Sequence, residues 1–447
     1  MFHKVLVANR AAIAARVLRA LRSMGIRSVA VYSEADAQLP YLAQADESHC
    51  IGPAEPGMSY LNQDAILQVL RDSGADALHP GYGFLSENAG FARRVQAQGA
   101  VFIGPSPEWI DAMGHKTRAR ELMRGHGLQM APSSGLLSGD PEQDRRMAHE
   151  IGYPVLVKPA TGGGGIGMIA ARNDAELAKA VEQAGSLSRR SFGSAELYLE
   201  PLLEKPRHIE FQILADRAGN VCHLFERDCS VQRRHQKVIE ESPAPLLPRE
   251  VVAAAGDEIV GVLAKMRYDV IGTVETLHAP GGGFQFLETN TRLQVEHAVT
   301  EEITGVDLVV AQIRLAAGEP LSAVIPAPVT VRGHAIEARI YAEDPVRFFP
   351  SPGTLKVLEF PAGPGIRVET GYAQGCAVTP HYDPMIAKLI VHADTRALAI
   401  ARLQQALAAT RIEGVRHNIP FIQRVLQSDA FRSGNVHTGL AAEVLAA

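Results

Sequence analysis

The sequence predicts an α/β protein that opens with a doubly wound parallel sheet, and three observations predict it. Short apolar runs alternate with helical periodicity from the first residues to about residue 103. A cluster of glycines stands between two strand-like runs near residue 160. A period-two row of polar side chains then runs from Glu288 to Glu296. At roughly 100–200 residues per domain, the 447 residues make about three domains.

Lys4 to Ala8 is a short apolar strand, and Ile13, Val17, Leu18, Leu21 and Met24 follow at helical spacing, ending near Gly25. Ser28 to Tyr32 is the next strand, and Ala77 to His79 and Val101 to Ile103 end two later β-units. This rhythm implies parallel strands with ligands at their carboxyl ends. The first strand leads into Ala8-Asn9-Arg10-Ala11-Ala12, with no G-x-G-x-x-G, which argues against a dinucleotide site. His79 to Phe84 follows a strand, where either a plain turn or a binding loop is expected. The first domain is expected over 1–112 and a second over 113–325. The second holds a helical stretch, the strand Tyr153 to Lys158, the glycines, several alternating strands and a helix at Leu308 to Ala317. Pro320 to Val331 carries three prolines and reads as a linker. The remainder, 331–447, mixes strands at Val331 to Ile340, Lys356 to Phe360 and Ile386 to Val391 with a helix at Arg396 to Ala409, an α+β pattern.

Composition excludes several classes. Lysine plus arginine total 44 against 49 aspartate plus glutamate, a net charge of −5, which is not that of a globally basic nucleic-acid binder. The 46% hydrophobic and 21% charged fractions are those of a globular chain. No apolar run approaches the ~20 residues of a membrane span. The first residues enter a strand pattern directly, without a signal-peptide layout, so a cytoplasmic location is expected. Cys50, Cys222, Cys229 and Cys376 are too scattered for a disulfide framework or a zinc site and read as reduced thiols.

Lys158-Pro-Ala-Thr-Gly162-Gly-Gly-Gly165-Ile-Gly167 reads as a hairpin tip whose backbone N–H groups can cradle phosphate, with Lys158 as a cation at the strand end. It is not a P-loop, because no Lys-Ser or Lys-Thr pair follows the glycines; taken alone it could equally be a flexible linker. In a strand, Glu288, Asn290, Arg292, Gln294 and Glu296 share one face, and Leu287, Thr289, Thr291, Leu293 and Val295 the other. Neighbours on a face stand about 6.6 Å apart, close enough for Glu288 and Asn290 to serve one metal. A hairpin centred between Gly281 and Gly282 sets Glu275 opposite Glu288. Glu275, Glu288 and Asn290 then form a hard-oxygen set suited to Mg²⁺ or Mn²⁺ rather than zinc. The run Glu226 to Lys237 fits a nucleic-acid patch, a solvated face or, beside a lid and a metal site, a phosphate or small-anion site. Lys116 and Arg339 are unremarkable when taken singly.

Together these motifs resemble the ATP-grasp superfamily, and within it the biotin carboxylase family. The resemblance runs from Ala8-Asn9-Arg10 and His79 to Asn88, through Glu226 to Cys229, Gln232 to Lys237 and Glu288 to His297, to Gly333 to Arg339 and Tyr382 to Ile386. It implies a Rossmann-like N-terminal domain, an ATP-grasp domain with a mobile glycine-rich lid at roughly 131–203, and an α+β C-terminal domain. The reaction it implies is phosphorylation of bicarbonate by MgATP to carboxyphosphate, followed by transfer of CO₂ to N1′ of biotin. The implied cofactors are ATP with two Mg²⁺ (or Mn²⁺) and biotin on a carrier protein.

By the same resemblance Lys116 and Lys158 match ATP-phosphate lysines, and Gly164 and Gly165 the closing lid. Glu200 and Leu203 match the adenine segment; His208, Gln232 and His235 match other nucleotide contacts. Glu275, Glu288 and Asn290 match metal ligands. Lys237, Arg292, Gln294 and Val295 match the bicarbonate pocket, Glu296 the base, and Arg339 with Tyr82 the biotin site. The sequence departs from the family pattern at Ala11-Ala12, Ile166 and Pro201, where Gly-Glu, a basic residue and lysine are common. Those departures put in doubt one acidic group, one phosphate contact and one lysine contact to adenine.

The expected partners are a biotin carboxyl carrier protein, the carboxyltransferase of the same system and a second copy of the chain, with no nucleic acid and no membrane. No Met-Lys-Met biotin-attachment triplet occurs, so biotin is expected on a separate protein. The acceptor is expected to be acetyl-CoA, as in fatty acid biosynthesis, with propionyl-CoA, methylcrotonyl-CoA or urea as alternatives. Another ATP-grasp ligase would share the lid and carboxylates but not Arg292-x-Gln294-Val295-Glu296-His297 with Arg339. A non-catalytic nucleotide-binding regulator would be expected to lack Glu296, Lys237 or a metal ligand.

Overall fold

The computed structural model describes residues 1–162, 165–279, 281–325 and 328–447. Five strands, β1 (Lys4–Val7), β2 (Arg27–Tyr32), β3 (Glu47–Cys50), β4 (Ala77–His79) and β5 (Val101–Phe102), form a parallel sheet in the order β3-β2-β1-β4-β5. The expected doubly wound start is present. Only β3 was unmarked in the sequence, because Glu-Ser-His-Cys has no apolar alternation and lies at an edge.

The crevice beyond β1 and β4 is filled by the protein itself. Asn9 Nδ2 donates to the carbonyls of Pro80 (2.7 Å) and Tyr82 (2.8 Å). Arg10 pairs with Asp36 at 2.6 Å and lies 4.3 Å from the Tyr382 ring centroid. Gly81 has φ +64, and a Cβ there would meet Asn9 Nδ2 and Ile13 at 2.9 Å, so the close approach requires glycine.

A small three-stranded unit follows: β6 (Val155–Pro159), β7 (Ile169–Ala171) and β8 (Leu197–Pro201), in the order β7-β6-β8. Helices Pro141–Ile151 and Asp174–Phe192 cover it, with Ala148, Leu177, Ala180 and Ala184 packed on Val155, Val157 and Leu199. β6 and β7 pair antiparallel, with Gly162 and Gly165 to Gly167 among the described residues between them, as the hairpin reading expects. Gly163 and Gly164, the second of them an expected lid residue, lie outside the described residues.

The rest is built on one large antiparallel sheet. Its central part comprises β9 (Arg207–Ala215), β10 (Val221–Arg233), β11 (Gln236–Ser242), β12 (Val270–His278), β13 (Phe284–Asn290) and β14 (His334–Tyr341). The short strands β15 (Gly353–Thr354) and β16 (Val357–Glu359) precede β17 (Ile366–Thr370). After these come β18 (Ala377–Val378), β19 (Met385–Ala393) and β20 (Arg411–Glu413). Eight of them line up as β13-β12-β9-β10-β11-β14-β19-β17. The proline segment, which includes a short helix at Leu321–Val324, therefore joins strands of one continuous sheet. Glu241 on β11 helps fasten it, bonded by His334 at 2.7 Å and by Arg396 of helix Arg396–Ala409.

On β12–β13 the register places Glu275 opposite Glu288 and Thr273 opposite Asn290, as the glycine-centred hairpin predicts. A bulge then pairs Thr276 with Phe286, so Leu287 is the extra residue. Among the described residues no helix is long and apolar enough to cross a membrane.

Candidate active site

A cavity of about 420 Å³ lies between the lid unit and the large sheet. Its lining gathers Lys116, Lys158, Gly165, Glu200, Leu203, His208, Gln232, His235, Lys237, Glu275, Glu288, Asn290, Arg292, Gln294, Val295 and Arg339, all singled out in the sequence. Two expected residues stand apart from this wall. Glu296 lies just behind it, fully buried and bonded to Lys237 and Arg339. Tyr82 is not among the lining residues; its hydroxyl is buried without a partner, and burial, with Glu369 and Glu337 nearby, raises its pKa well above the usual value.

Lys237 is the hub. Its ammonium donates to Glu210 (2.6 Å), Glu275 (2.8 Å) and Glu296 (2.6 Å), reaching from β11 across β9 and β12. Burial opposes its charge, but these three carboxylates outweigh burial and raise its pKa well above the ordinary lysine value. Burial likewise pushes Glu296 up, yet Lys237, Arg339 and Arg227 hold it well below the usual carboxylate range. Glu296 is therefore an anion gripped by Lys237 on one oxygen and by Arg339 Nη2, at 2.8 Å, on the other. Arg339 also donates through Nε to Glu240.

The strand expected to run on to Glu296 stops at Asn290. From Thr291 the chain turns into helix His297–Thr304, and hydrogen bonds rather than a pleat set the side chains there. Arg292 donates to Glu87 at 2.8 Å, to Gln294 Oε1 at 3.1 Å and to Asn290 Oδ1 at 3.2 Å. Leu287, expected on the far face, joins the cavity wall because of the bulge.

Lys158, at the end of β6, pairs with Glu200 at 2.7 Å, and Arg120 holds the other Glu200 oxygen at 2.9 Å. Lys116 begins helix Lys116–Gly125 and pairs with Glu288 at 3.2 Å. His208 Nε2 lies 3.1 Å from Glu275, and Gln232 bonds His208 Nδ1 at 3.0 Å. The lid tip rests on the large sheet: a Cβ on Gly165 would stand 2.5 Å from the His235 ring, and Gly165 has φ +72. Of the departures from the expected pattern, Pro201 lines the cavity, Ile166 is exposed and Ala12 is buried in the first domain.

Glu275 and Glu288 as register partners, with the Asn290 amide next along, offer hard oxygens that fit Mg²⁺ or Mn²⁺. Each carboxylate is paired here with a lysine, Lys237 or Lys116, whose positive charge a dication bound between them would displace from the shared oxygens. Two further groups, His208–Glu210–Glu275 and Glu210–Cys229–Glu296, bring ligand atoms within 4.8 Å. They are spanned by the Lys237 ammonium and the Arg227 guanidinium, which marks them as ion-pair clusters.

Several residues went unnoticed in the sequence. Arg227 is completely buried, bonding Glu210, Gln212 (2.8 Å) and Thr300 (3.0 Å), so the charged run is interior from Glu226 to Gln232, whereas Arg234 and His235 are exposed. Glu210 had a readable signal, the alternation His208-x-Glu210-x-Gln212 along a strand. Arg120 had none, sitting on a helix rich in surface charge. Glu87 follows the His79 to Leu85 segment and brings the first domain to the site.

Three family models cover the chain. They are the biotin carboxylase N-terminal domain (residues 1–110), the ATP-binding domain of the carbamoyl-phosphate synthase L chain (115–324) and the biotin carboxylase C-terminal domain (337–443). The chain is 50% identical to a biotin carboxylase of Halalkalibacterium halodurans, over 98% of this chain and 97% of that one. It is 47% identical to a subunit of the pyruvate carboxylase of Methanothermobacter thermautotrophicus, over 98% of this chain and 89% of that one. Among solved structures, it matches the biotin carboxylase domain dimer of Hydrogenobacter thermophilus 2-oxoglutarate carboxylase, in complex with MgADP, ADP and bicarbonate. That match has TM-score 0.96 and 44% identity, covering 100% of this chain and 99% of that one. A biotin carboxylase–β,γ-ATP complex from Campylobacter jejuni matches with TM-score 0.96 and 41% identity over 99% of each.

Proposed function

The chain belongs to the biotin carboxylase family of ATP-grasp ligases, and from that premise we propose that it carboxylates biotin carried on a separate protein, using MgATP and bicarbonate in the cytoplasm. The observation that carries this reading is the chain of contacts Arg292–Gln294, Lys237–Glu296 and Glu296–Arg339, set beside the paired carboxylates Glu275 and Glu288. A carbamoyl-phosphate type of ligase would share the central domain but not the two flanking ones, which match biotin carboxylase models. The ionised Glu296, Lys237 and the complete oxygen set speak against a regulator that has lost its chemistry.

In this reading Lys116 and Lys158 neutralise the ATP phosphates, Gly165 with Gly164 closes over them, and His208, Gln232 and His235 contact the nucleotide. Leu203, with the Glu200 segment, borders the adenine. Glu275, Glu288 and Asn290 hold the metal, which would draw charge from the phosphoryl oxygens and so lower the barrier to transfer. Arg292, Gln294, the Val295 backbone and Lys237 bind bicarbonate; a guanidinium fork matches its planar oxygens. As Lys237 turns to the bicarbonate, its grip on Glu296 loosens, and the carboxylate gains the basicity to take the bicarbonate proton. Bicarbonate oxygen then attacks the γ-phosphorus, the bond from that phosphorus to the β,γ-bridging oxygen breaks and ADP leaves. The carboxyphosphate so formed splits into CO₂ and phosphate, and the phosphate takes the N1′ proton of biotin. Arg339 steadies the enolate form of biotin as the CO₂ unit is transferred.

The acceptor is chosen by a carboxyltransferase partner, and the first assignment is acetyl-CoA. A 2-oxo acid acceptor is the second, favoured by identities of 47% to a component of a pyruvate carboxylase and 45% to the small subunit of a 2-oxoglutarate carboxylase. A homodimer belongs to the same proposal, since the Hydrogenobacter domain is described as a dimer.

The test is ATP cleavage by the purified protein with and without bicarbonate, and with free biotin at high concentration. Bicarbonate-dependent turnover that yields carboxybiotin is expected. Equal cleavage without bicarbonate and no carboxybiotin would overturn the proposal.

A further inference from the structure

Glu240 on β11 and Glu337 on β14 are register partners across the antiparallel ladder, and both are fully buried. Directly opposed residues have Cβ atoms about 4.5–5.5 Å apart, and like charges there are destabilising. Both Glu337 oxygens and Glu240 Oε2 have no hydrogen-bond partner. The cations within reach are shared with other acids. Arg339 serves Glu240 and Glu296, whereas Lys388 lies 3.4 Å from Glu337 but 3.0 Å from Glu369, and also donates to the Val295 carbonyl. Two dry, opposed carboxylates with three unsatisfied oxygens are an arrangement that a proton between them relieves.

We propose that Glu240 and Glu337 hold one proton between them and thereby position Arg339 at the cavity. The effect on Arg339 rests on the biotin carboxylase reading above; the shared proton does not. Glu240 faces Arg339, Glu337, Glu296 and Lys237, and Glu337 faces Lys388, Arg339, Glu369, Glu296 and the Tyr82 hydroxyl. Burial pushes Glu240 up to about 8 against the pull of Arg339, with Glu337 adding to the rise. Burial pushes Glu337 up to about 7 against Lys388 and Arg339, with Glu369 and Glu296 adding to it. The proton is thus held at neutral pH and lost as pH rises through these values. The second negative charge then pulls the Arg339 guanidinium back from the cavity and weakens its hold on the biotin ureido oxygen.

The experiment combines an infrared pH titration with kinetics on the full chain. At pH 7 the wild-type protein is expected to show the C=O stretch of a protonated carboxylic acid, fading toward pH 9. Because the proton is shared, Glu337→Gln and Glu240→Gln should each remove the same part of that band, while any contribution from Glu343, which burial pushes up to about 7, stays. The wild-type KM for free biotin should rise about tenfold between pH 7 and pH 9 for one titration near 8, and Glu337→Gln, which stays neutral, should flatten that rise. No carboxylic acid band at pH 7, which needs no variant to observe, would overturn the shared proton. So would a band that either substitution leaves undiminished. An unchanged KM rise in Glu337→Gln would overturn the link to Arg339. Failure of the family reading would show separately, as absence of carboxybiotin in the wild type.

Discussion

Glu296→Gln is expected to lower kcat for bicarbonate-dependent ATP cleavage by about 10²–10⁴-fold, the usual contribution of a positioned general base, while nucleotide affinity stays near the wild-type level. Lys237, Arg339 and Arg227 outweigh burial and keep Glu296 ionised throughout the neutral range. The amide has almost the same shape and its oxygen can still accept from Lys237, but its NH₂ cannot accept from Arg339, so the loss of rate combines lost basicity with a lost Arg339 contact. Phosphate release under saturating substrates, set beside equilibrium binding of a non-hydrolysable nucleotide, separates rate from nucleotide affinity. Near wild-type kcat would assign the base elsewhere, and lost nucleotide binding would make Glu296 structural.

Arg227→Leu is expected to destabilise the fold by about 3–5 kcal/mol, the cost of breaking a buried charge pair from one side. The guanidinium is completely buried and ties β10 to Glu210 and Gln212 on β9, to Thr273 on β12 and to Thr300 on the helix after Glu296. Removing it leaves Glu210 with Lys237 as its closest cation among the described residues, and the lysine is already divided among three acids. Urea denaturation followed by circular dichroism measures the loss. A shift of under about 1 kcal/mol, the range of a surface pair, would show that the network is not what holds these strands together.

Much of the site was legible because strands write their faces as alternation. Glu275 and Glu288 were paired from the glycines of one hairpin, and the register agrees. What alternation could not carry was its own end. Beyond Asn290 the backbone leaves the sheet, and Arg292, Gln294 and Glu296 are set by hydrogen bonds to Glu87, Glu275 and Lys237 respectively, from distant parts of the chain. The bulge that brings Leu287 to the wall adds a residue with no marker in its composition. The doubly wound start was readable from apolar strands, whereas β3 was silent because an exposed edge strand needs no apolar face. The continuity of the large sheet from β11 into β14 was hidden as well, since prolines mark a connection without saying which strands it joins. Arg120 drew no reading, and the run holding Arg227 stayed open among a nucleic-acid patch, a solvated face and an anion site, because sequence alone cannot distinguish a charge that meets water from one that meets a buried carboxylate.

The central claim is that bicarbonate itself is the phosphoryl acceptor. It is tested most directly by turnover in ¹⁸O-labelled bicarbonate under conditions of slow exchange with water. Attack by a bicarbonate oxygen on the γ-phosphorus leaves that oxygen on phosphate when the CO₂ unit departs. Mass spectrometry of the released phosphate should therefore find one ¹⁸O per phosphate from labelled bicarbonate and none from labelled water. Phosphate whose new oxygen comes from water would contradict the account and leave the protein an ATPase.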